Sequence, residues 1–171
     1  MCIRDRNGPW SQLVGLNNID IHRMENQIPI SLTAQLSIRP ILVPHRDEFT
    51  ETVGYHIEGP RKSALFIPDI DKWEKWEEDI NKWVQKVDYA FLDGSFFQES
   101  EVAGRNMSEI PHPFVPQSME RFSDLSSEDK AKVHFIHFNH TNPLLDPDSE
   151  ASAQVLKAGF RIAKQGQVLT L

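Results

Sequence analysis

Short apolar runs separated by turn residues are the feature that most constrains what this chain can fold into. Residues 28–41 contain β-branched and apolar residues interrupted by two prolines, a pattern that is typical of two short strands. Residues 52–57 and 63–67 are two more apolar runs, and the Gly-Pro turn between them predicts a hairpin that ends near Asp69. The first part of the chain is therefore predicted to be rich in β-strands.

The hydrophobic period changes to that of a helix over residues 71–87. Asp71 and Glu74 have the spacing of a capping pair, so we expect one helix of about four turns. A stripe of large residues at helical spacing is more often core than ligand platform, and we expect it to pack on a sheet. The stripe consists of Trp73, Trp76, Ile80 and Trp83.

Strand and helix patterns alternate in the rest of the chain. Buried strands are predicted at residues 89–92 and 133–138. Between them lie a polar, proline-containing loop at 104–117, whose length suggests the wall of an active site or an insertion, and short helical stretches at 119–125 and 126–131.

A last helix is predicted to begin at Asp146, with Pro147 in its first turn, and to end at Gly159. Residues 160–163 and 167–171 then predict a closing hairpin. Strands that alternate with helices after a β-rich beginning indicate an α/β sandwich and not a helical bundle.

Composition and charge exclude several classes of function. The net charge of −7 and the isoelectric point near 5.5, without a clustered basic patch, argue against a protein that binds nucleic acid. Cys2 is the single cysteine, which excludes an internal disulfide and a zinc site built from cysteines. The sequence has no run of about 18 apolar residues and no secretory signal, so we expect no membrane segment and, by default, a cytoplasmic location.

Three polar residues, His45, Asp69 and His137, each follow an apolar strand. Loops at strand ends are where a rigid sheet holds reactive groups, and imidazole and carboxylate ligands suit zinc, manganese or non-haem iron. Each residue also has an ordinary structural interpretation that involves no metal. A lone histidine in a Pro-His-Arg-Asp turn is commonly a surface residue, and Asp69 or Asp93 can simply cap the turn that follows its strand.

Three motifs occur in a fixed order along the chain. They are Val-Pro-His-Arg-Asp-Glu at 43–48, Phe-Ile-Pro-Asp-Ile-Asp at 66–71 and His-Phe-Asn-His-Thr-Asn-Pro at 137–143, with a Gly-Arg segment at 104–105 between the last two. Together they resemble the PqqB-like branch of the metallo-β-lactamase superfamily. The similarity runs from Asn7 to the end of the chain.

The resemblance implies a role for each candidate residue. It makes His45, Asp69 and His137 metal ligands, with Asp69 as the bridging aspartate, and zinc the expected divalent ion, with iron or manganese as alternatives. It implies that Asp93 supports the site without binding metal and that His112 lies on the substrate side. Asp69 and His112 are accordingly the candidate catalytic residues.

His140 departs from the branch, in which asparagine is common at this position, and it is not expected to be a ligand. His134, His137 and His140 recur at every third residue, so they cannot all bind one ion while a strand continues.

The His-x-His-x-Asp-His motif, which supplies most ligands of the superfamily's first metal site, does not occur in this sequence. By the resemblance, residues 7–171 are expected to be the C-terminal part of a single metallo-β-lactamase-type αββα sandwich, mainly its second αβ half. Residues 1–6 resemble an artefactual leader. We therefore expect this chain to be inactive on its own.

The resemblance favours a metal-dependent hydrolase that acts on a small-molecule or peptide substrate. A metal-dependent oxidative step in pyrroloquinoline quinone biosynthesis is the first alternative, and a noncatalytic binding protein on the same fold is the second. The three candidate ligands argue against the binding protein, which would need none of them. Neither a Gly-x-Ser-x-Gly elbow nor a phosphate-binding Gly-Lys-Ser loop occurs, so serine hydrolases and P-loop enzymes are excluded. The oligomeric state stays open.

Overall fold

The computed structural model describes residues 8–46, 50–102 and 110–171. Several sequence-based predictions fall wholly or partly outside the described residues: the leader at 1–6, the Asp-Glu end of the first motif at 47–48, and the Gly-Arg segment at 104–105. The first part of the loop predicted at 104–117 also lies outside them.

In the part of the chain that the structure describes, seven strands form one sheet in which neighbours in space are also neighbours in sequence. Strands one to four pair antiparallel, whereas strands four to seven pair parallel. The strands are β1 Ile30–Ser31, β2 Ser37–Val43, β3 Thr52–Glu58, β4 Ser63–Ile67, β5 Tyr89–Asp93, β6 Val133–Ile136 and β7 Arg161–Ile162. The predicted hairpin is confirmed as β3 and β4, with Glu58 opposite Ser63.

Helical segments provide the crossovers that parallel strands require. The helices are α1 Gly8–Gly15, α2 Ile80–Lys86, α3 Val115–Arg121, α4 Ser127–Lys130 and α5 Glu150–Lys157. Within the described residues, 3₁₀ turns span Trp73–Lys75, Glu99–Val102 and Pro143–Leu145. In the three ranges that the structure describes, no helix is long and apolar enough to cross a membrane.

The core is built on alternate side chains of the central strands, which project to one face of the sheet. Large residues from the segments between strands pack on this face, and they include the whole tryptophan stripe, whose predicted burial is confirmed. The strand residues are Leu65, Ile67, Ala90, Leu92, Val133 and Phe135, and the residues packed with them include Trp73, Trp76, Ile80, Trp83, Val115, Phe122 and Val155.

The prediction of one continuous helix over residues 71–87 is wrong, because the segment is a 3₁₀ turn followed by α2. Trp76 between them has an extended backbone (φ −86°, ψ 129°), and its Nε1 donates to the carbonyl of Leu42 at 3.0 Å. Asp79, and not Asp71, caps α2 by accepting from the Asn81 amide. A tertiary hydrogen bond and a better-placed cap therefore override the helical period.

The last helix begins later than predicted. Ser149 is the N-cap of α5, where its side chain accepts from the Ser152 amide, whereas Asp146 ends the preceding 3₁₀ turn. Gly159 follows α5 with φ of +96°, so the predicted end is confirmed. The closing hairpin does not form, since β7 pairs in parallel with β6 and residues 167–171 are not in a strand.

The sheet topology gathers four candidate residues at one end. β2 and β4 both pair antiparallel with β3, and β4, β5 and β6 pair parallel, so β2, β4, β5 and β6 all run in the same direction. His45, Asp69, Asp93 and His137 lie at or just beyond the carboxyl ends of these strands. Open α/β sheets bind ligands at this end, so the fold supports a site here.

Candidate metal centre

Asp69 lies at the centre of the candidate site. Its Oδ1 atom is 2.8 Å from Nε2 of His45 and 3.5 Å from Nδ1 of His112. The rings of His45 and His112 are 5.2 Å apart in an edge-on arrangement. One carboxylate oxygen thus approaches two imidazoles that come from segments far apart in the sequence.

The contact between His45 and Asp69 is short, yet it does not have the geometry of a hydrogen bond. Nε2 of His45 and Oδ1 of Asp69 are both buried atoms without a hydrogen-bond partner. By distance alone the pair would be an ion pair, provided that His45 were protonated. Buried polar atoms are nearly always satisfied, so two adjacent exceptions call for an explanation, and a shared cation would supply one.

Asp93 holds His112 in place. Its carboxylate is fully buried and accepts from Nδ1 of His112 at 2.8 Å and from the amides of Ile70 at 3.2 Å and Ser95 at 2.8 Å. Burial lowers the pKa of His112, but the hydrogen bond to Asp93 and the negative charges of Asp93 and Asp69 outweigh it and raise the pKa above the ordinary value. Without a metal ion, His112 therefore keeps its proton more readily than an isolated histidine.

Among the described residues, two groups could hold a metal ion, and Asp69 belongs to both. One group is His45, Asp69 and His112, and the other is Asp69, Asp93 and His137. Within each group the ligand atoms lie within 4.8 Å of one another. A carboxylate shared by two groups is what a bridging ligand requires, and histidine with aspartate is a donor set that zinc accepts.

The structure brings the predicted site residues together, but its two groups of candidate ligands differ from the predicted set of three ligands. The predicted ligands His45 and His137 each join Asp69, but in separate groups. His112, predicted on the substrate side, lies with His45, and Asp93, predicted to support the site, lies with His137. The role of each residue stays a prediction.

His137 reaches the site from the loop after β6. Its Nδ1 lies 3.0 Å from Oγ of Ser95, and its ring centre lies 6.3 Å from that of His112. Its backbone φ is +63°, which ends β6 two residues earlier than the predicted strand. His140 is exposed and belongs to neither group of candidate ligands.

Residues 70–72, directly after Asp69, donate hydrogen bonds to other loops of the site. The sequence analysis did not predict this role. The Ile70 amide donates to Asp93, the Asp71 amide donates to the carbonyl of Pro44 at 2.7 Å, and Nζ of Lys72 donates to the carbonyl of His112 at 2.5 Å. The only signal in the sequence was their position, because all three adjoin Asp69 in or beside the second motif.

Comparison with known proteins gives consistent matches along most of the chain. A family model described as the beta-lactamase superfamily domain matches residues 4–138. The coenzyme PQQ synthesis protein B of Nitrosococcus oceani is 29% identical over 143 residues, which cover 77% of this chain and 45% of that protein. The protein of the same name from Gluconobacter oxydans is 28% identical over 133 residues, which cover 71% of this chain and 40% of that protein.

The crystal structure of Zn²⁺-bound PqqB from Methylobacterium extorquens has a similar fold. It matches with a TM-score of 0.69 at 23% sequence identity, over 86% of this chain and 51% of that one. At this identity the match supports the fold alone. The chain spans about half the length of the relatives that it matches.

Proposed function

Because this chain belongs to the β-lactamase superfamily, we propose that its Asp69-centred cluster holds divalent metal and that the protein is a metal-dependent hydrolase. The predicted resemblance and the metallo-β-lactamase fold are confirmed by the family match and the structural match. The metal, the reaction and the residue roles below are our proposal.

One observation carries the proposal. Nε2 of His45 and Oδ1 of Asp69 are buried 2.8 Å apart without a hydrogen bond. Leaving two such atoms unsatisfied costs free energy, about 1–3 kcal/mol for each, unless something binds them. An ion bound by both removes that cost. Zinc suits the donor set and is the ion bound in the PqqB crystal structure.

We assign the metal ligands as the resemblance implies. His45, Asp69 and His137 hold metal, and Asp69 is shared between the two groups. When bound, a divalent ion polarises a substrate oxygen and lowers the pKa of water to about 7. We assign His112, which the resemblance places on the substrate side, as the catalytic proton donor, because Asp93 fixes its ring by accepting from Nδ1.

The substrate class follows only in part from this chemistry. A metal centre with a histidine acid suits hydrolysis of a phosphodiester, a lactone or another activated ester in a small molecule or peptide. A metal-dependent oxidative step in coenzyme PQQ synthesis is the second candidate, and it rests on the names of the relatives that are 28% and 29% identical. Zinc has no redox chemistry, so dependence on zinc would favour hydrolysis and dependence on iron would favour the oxidative step.

Turnover and metal content test the proposal when measured together. The chain spans about half of its relatives, so the assay uses the longest protein that its gene encodes, loaded with zinc or with iron. We expect hydrolysis with zinc, loss of metal in His45→Ala and Asp69→Ala, and loss of turnover with metal retained in His112→Ala. Activity with iron alone and no hydrolysis would replace the first candidate by the second. Loss of metal in His112→Ala would make His112 a ligand.

A further inference from the structure

His137 stands in a backbone conformation that residues with a side chain rarely adopt. Its φ of +63° lies in the left-handed region, and it is one of three such non-glycine residues in the described ranges. Such a conformation persists only where the surrounding structure fixes it. The contacts that hold the loop after β6 therefore decide where this imidazole points.

Asn142, from the third motif, is buried beneath this loop, with 3% of its surface exposed. Its Nδ2 donates to the carbonyls of Gly94 at 2.7 Å and Ser95 at 3.1 Å, and its Oδ1 accepts from the amide of Leu144 at 2.9 Å. Both polar ends of the amide are thus engaged. Nδ2 holds the loop after β5 through these two hydrogen bonds, and Oδ1 caps the 3₁₀ turn Pro143–Leu145.

Two backbone hydrogen bonds also join Gly94 and Ser95 to the residues that flank His137, one before it and one after it. The Gly94 amide donates to the carbonyl of Ile136 at 2.8 Å, and the Asn139 amide donates to the carbonyl of Ser95 at 3.0 Å. A side chain at position 94 would not fit, because its Cβ would come within 2.9 Å of the Phe138 ring. Gly94 and Ser95 are therefore hydrogen-bonded to residues on both sides of His137 in the sequence.

The Ser95 hydroxyl is the group that meets the imidazole. It is 3.0 Å from Nδ1 of His137, and Ser95 is itself buried, with 4% exposed. A hydrogen-bond partner on one imidazole nitrogen fixes the ring orientation and leaves the other nitrogen for a ligand. Displacing Ser95 would therefore free the ring to turn.

We propose that Asn142 is a positioning residue for His137: its side-chain amide holds Gly94 and Ser95 in place, and the Ser95 hydroxyl then fixes the imidazole with Nε2 turned to the metal centre. The purpose of this arrangement rests on the proposed function, in which His137 binds metal. The positioning itself is a property of the metal-free protein and can be tested there.

Two substitutions separate positioning from a merely structural role. Asn142→Asp keeps the oxygen that caps the 3₁₀ turn but loses both donations to the loop after β5. Ser95→Ala removes the hydroxyl that meets His137 and leaves Asn142 intact. Asn81→Asp is the matched control, because it removes an amide donation to the carbonyl of Arg121, away from the site.

The readout is the orientation of the His137 ring, followed by nuclear Overhauser effects between its carbon-bound protons and the β-protons of residue 95 in the metal-free chain. In the wild type and in Asn81→Asp we expect the effects of a single ring orientation, and in Asn142→Asp and Ser95→Ala effects averaged over several orientations. An unchanged single orientation in folded Asn142→Asp would overturn the proposal. Should Asn142→Asp fail to fold, Ser95→Ala decides in its place, and an unchanged orientation there would equally overturn it.

Zinc titration of the same variants separates this inference from the proposed function. We expect Asn142→Asp to weaken zinc binding by roughly tenfold to a hundredfold, as loss of a group that orients a ligand usually does. A changed ring orientation together with unchanged zinc affinity would support the positioning and would count against His137 as a ligand.

Discussion

Trp76 joins the core to the strand that leads into the candidate site, so its removal tests the packing. Its side chain is 8% exposed, its ring lies 6.4 Å from that of Trp73, and its Nε1 donates to the Leu42 carbonyl. Trp76→Ala would leave a cavity between the sheet and the segment before α2. It would also remove the donor of that hydrogen bond.

The expected loss of stability can be worked out from this burial. A buried aromatic side chain covers roughly 150–250 Å², which at about 25 cal/mol per Å² corresponds to roughly 4–6 kcal/mol as an upper bound. Alanine retains part of this, and measured truncations of large aromatic residues cost about 3–5 kcal/mol. We expect a loss of about 4 kcal/mol, which lowers the melting temperature by roughly 8–16 °C for a chain of this length.

Chemical denaturation of the purified chain measures the loss, with Trp10→Ala as the matched control. Trp10 lies in α1 and is 39% exposed, so its removal should change the free energy of unfolding by less than about 1 kcal/mol. Trp76 belongs to neither group of candidate ligands, so zinc bound per folded molecule should not change. A Trp76→Ala protein as stable as the wild type that no longer binds zinc would refute the core assignment.

In the longest protein that the gene encodes, Asp93→Asn should lower turnover by roughly tenfold to a hundredfold with zinc retained, because it removes the charge that orients His112, and unchanged turnover would contradict this. Burial lowers the pKa of His134 below 6.5, so the folded state disfavours its charged form and stability should fall as the pH drops below that value. His134→Gln should make the free energy of unfolding depend less on pH between about pH 7 and pH 5, and an unchanged slope would show that His134 does not contribute. The 171-residue chain alone should bind zinc weakly and hydrolyse neither a generic phosphodiester nor a lactone, whereas tight binding of two ions with full activity would contradict this.

The strands could be predicted because their signals are local. Short apolar runs and a Gly-Pro turn identify β3 and β4 from neighbouring residues alone, and a continuous apolar run identifies β5. His45, Asp69 and His137 each follow a predicted strand, and the resemblance carried by the motifs then implies that they share one site.

The helical segments were harder to predict because contacts distant in sequence decide them. The tryptophan spacing fits one helix, but the hydrogen bond from Trp76 to Leu42 joins residues 34 positions apart and favours an extended backbone at Trp76. Asp146 and Ser149 are both good N-caps, and the sequence does not show which side chain meets a free amide.

Contacts between loops decide which site residues lie together, and no sequence pattern marks these contacts. Asp93 meets His112 because the loop after β5 and the loop before α3 approach each other, and Ser95 meets His137 through the bonds made by Asn142. Serine and asparagine are common in loops for many reasons, so composition could not single out these two.

The most direct test of the proposed metal centre is a cobalt or zinc titration of the longest protein that the gene encodes, with Asp69→Ala beside the wild type. Asp69 belongs to both candidate groups, so its removal should weaken binding at both, by roughly a hundredfold or more, and should abolish the cobalt absorption of the wild type. Asp148→Ala is the matched control, since Asp148 is an exposed aspartate outside both groups, and it should bind as the wild type does. Equal affinity in Asp69→Ala and the wild type would contradict the proposed metal centre.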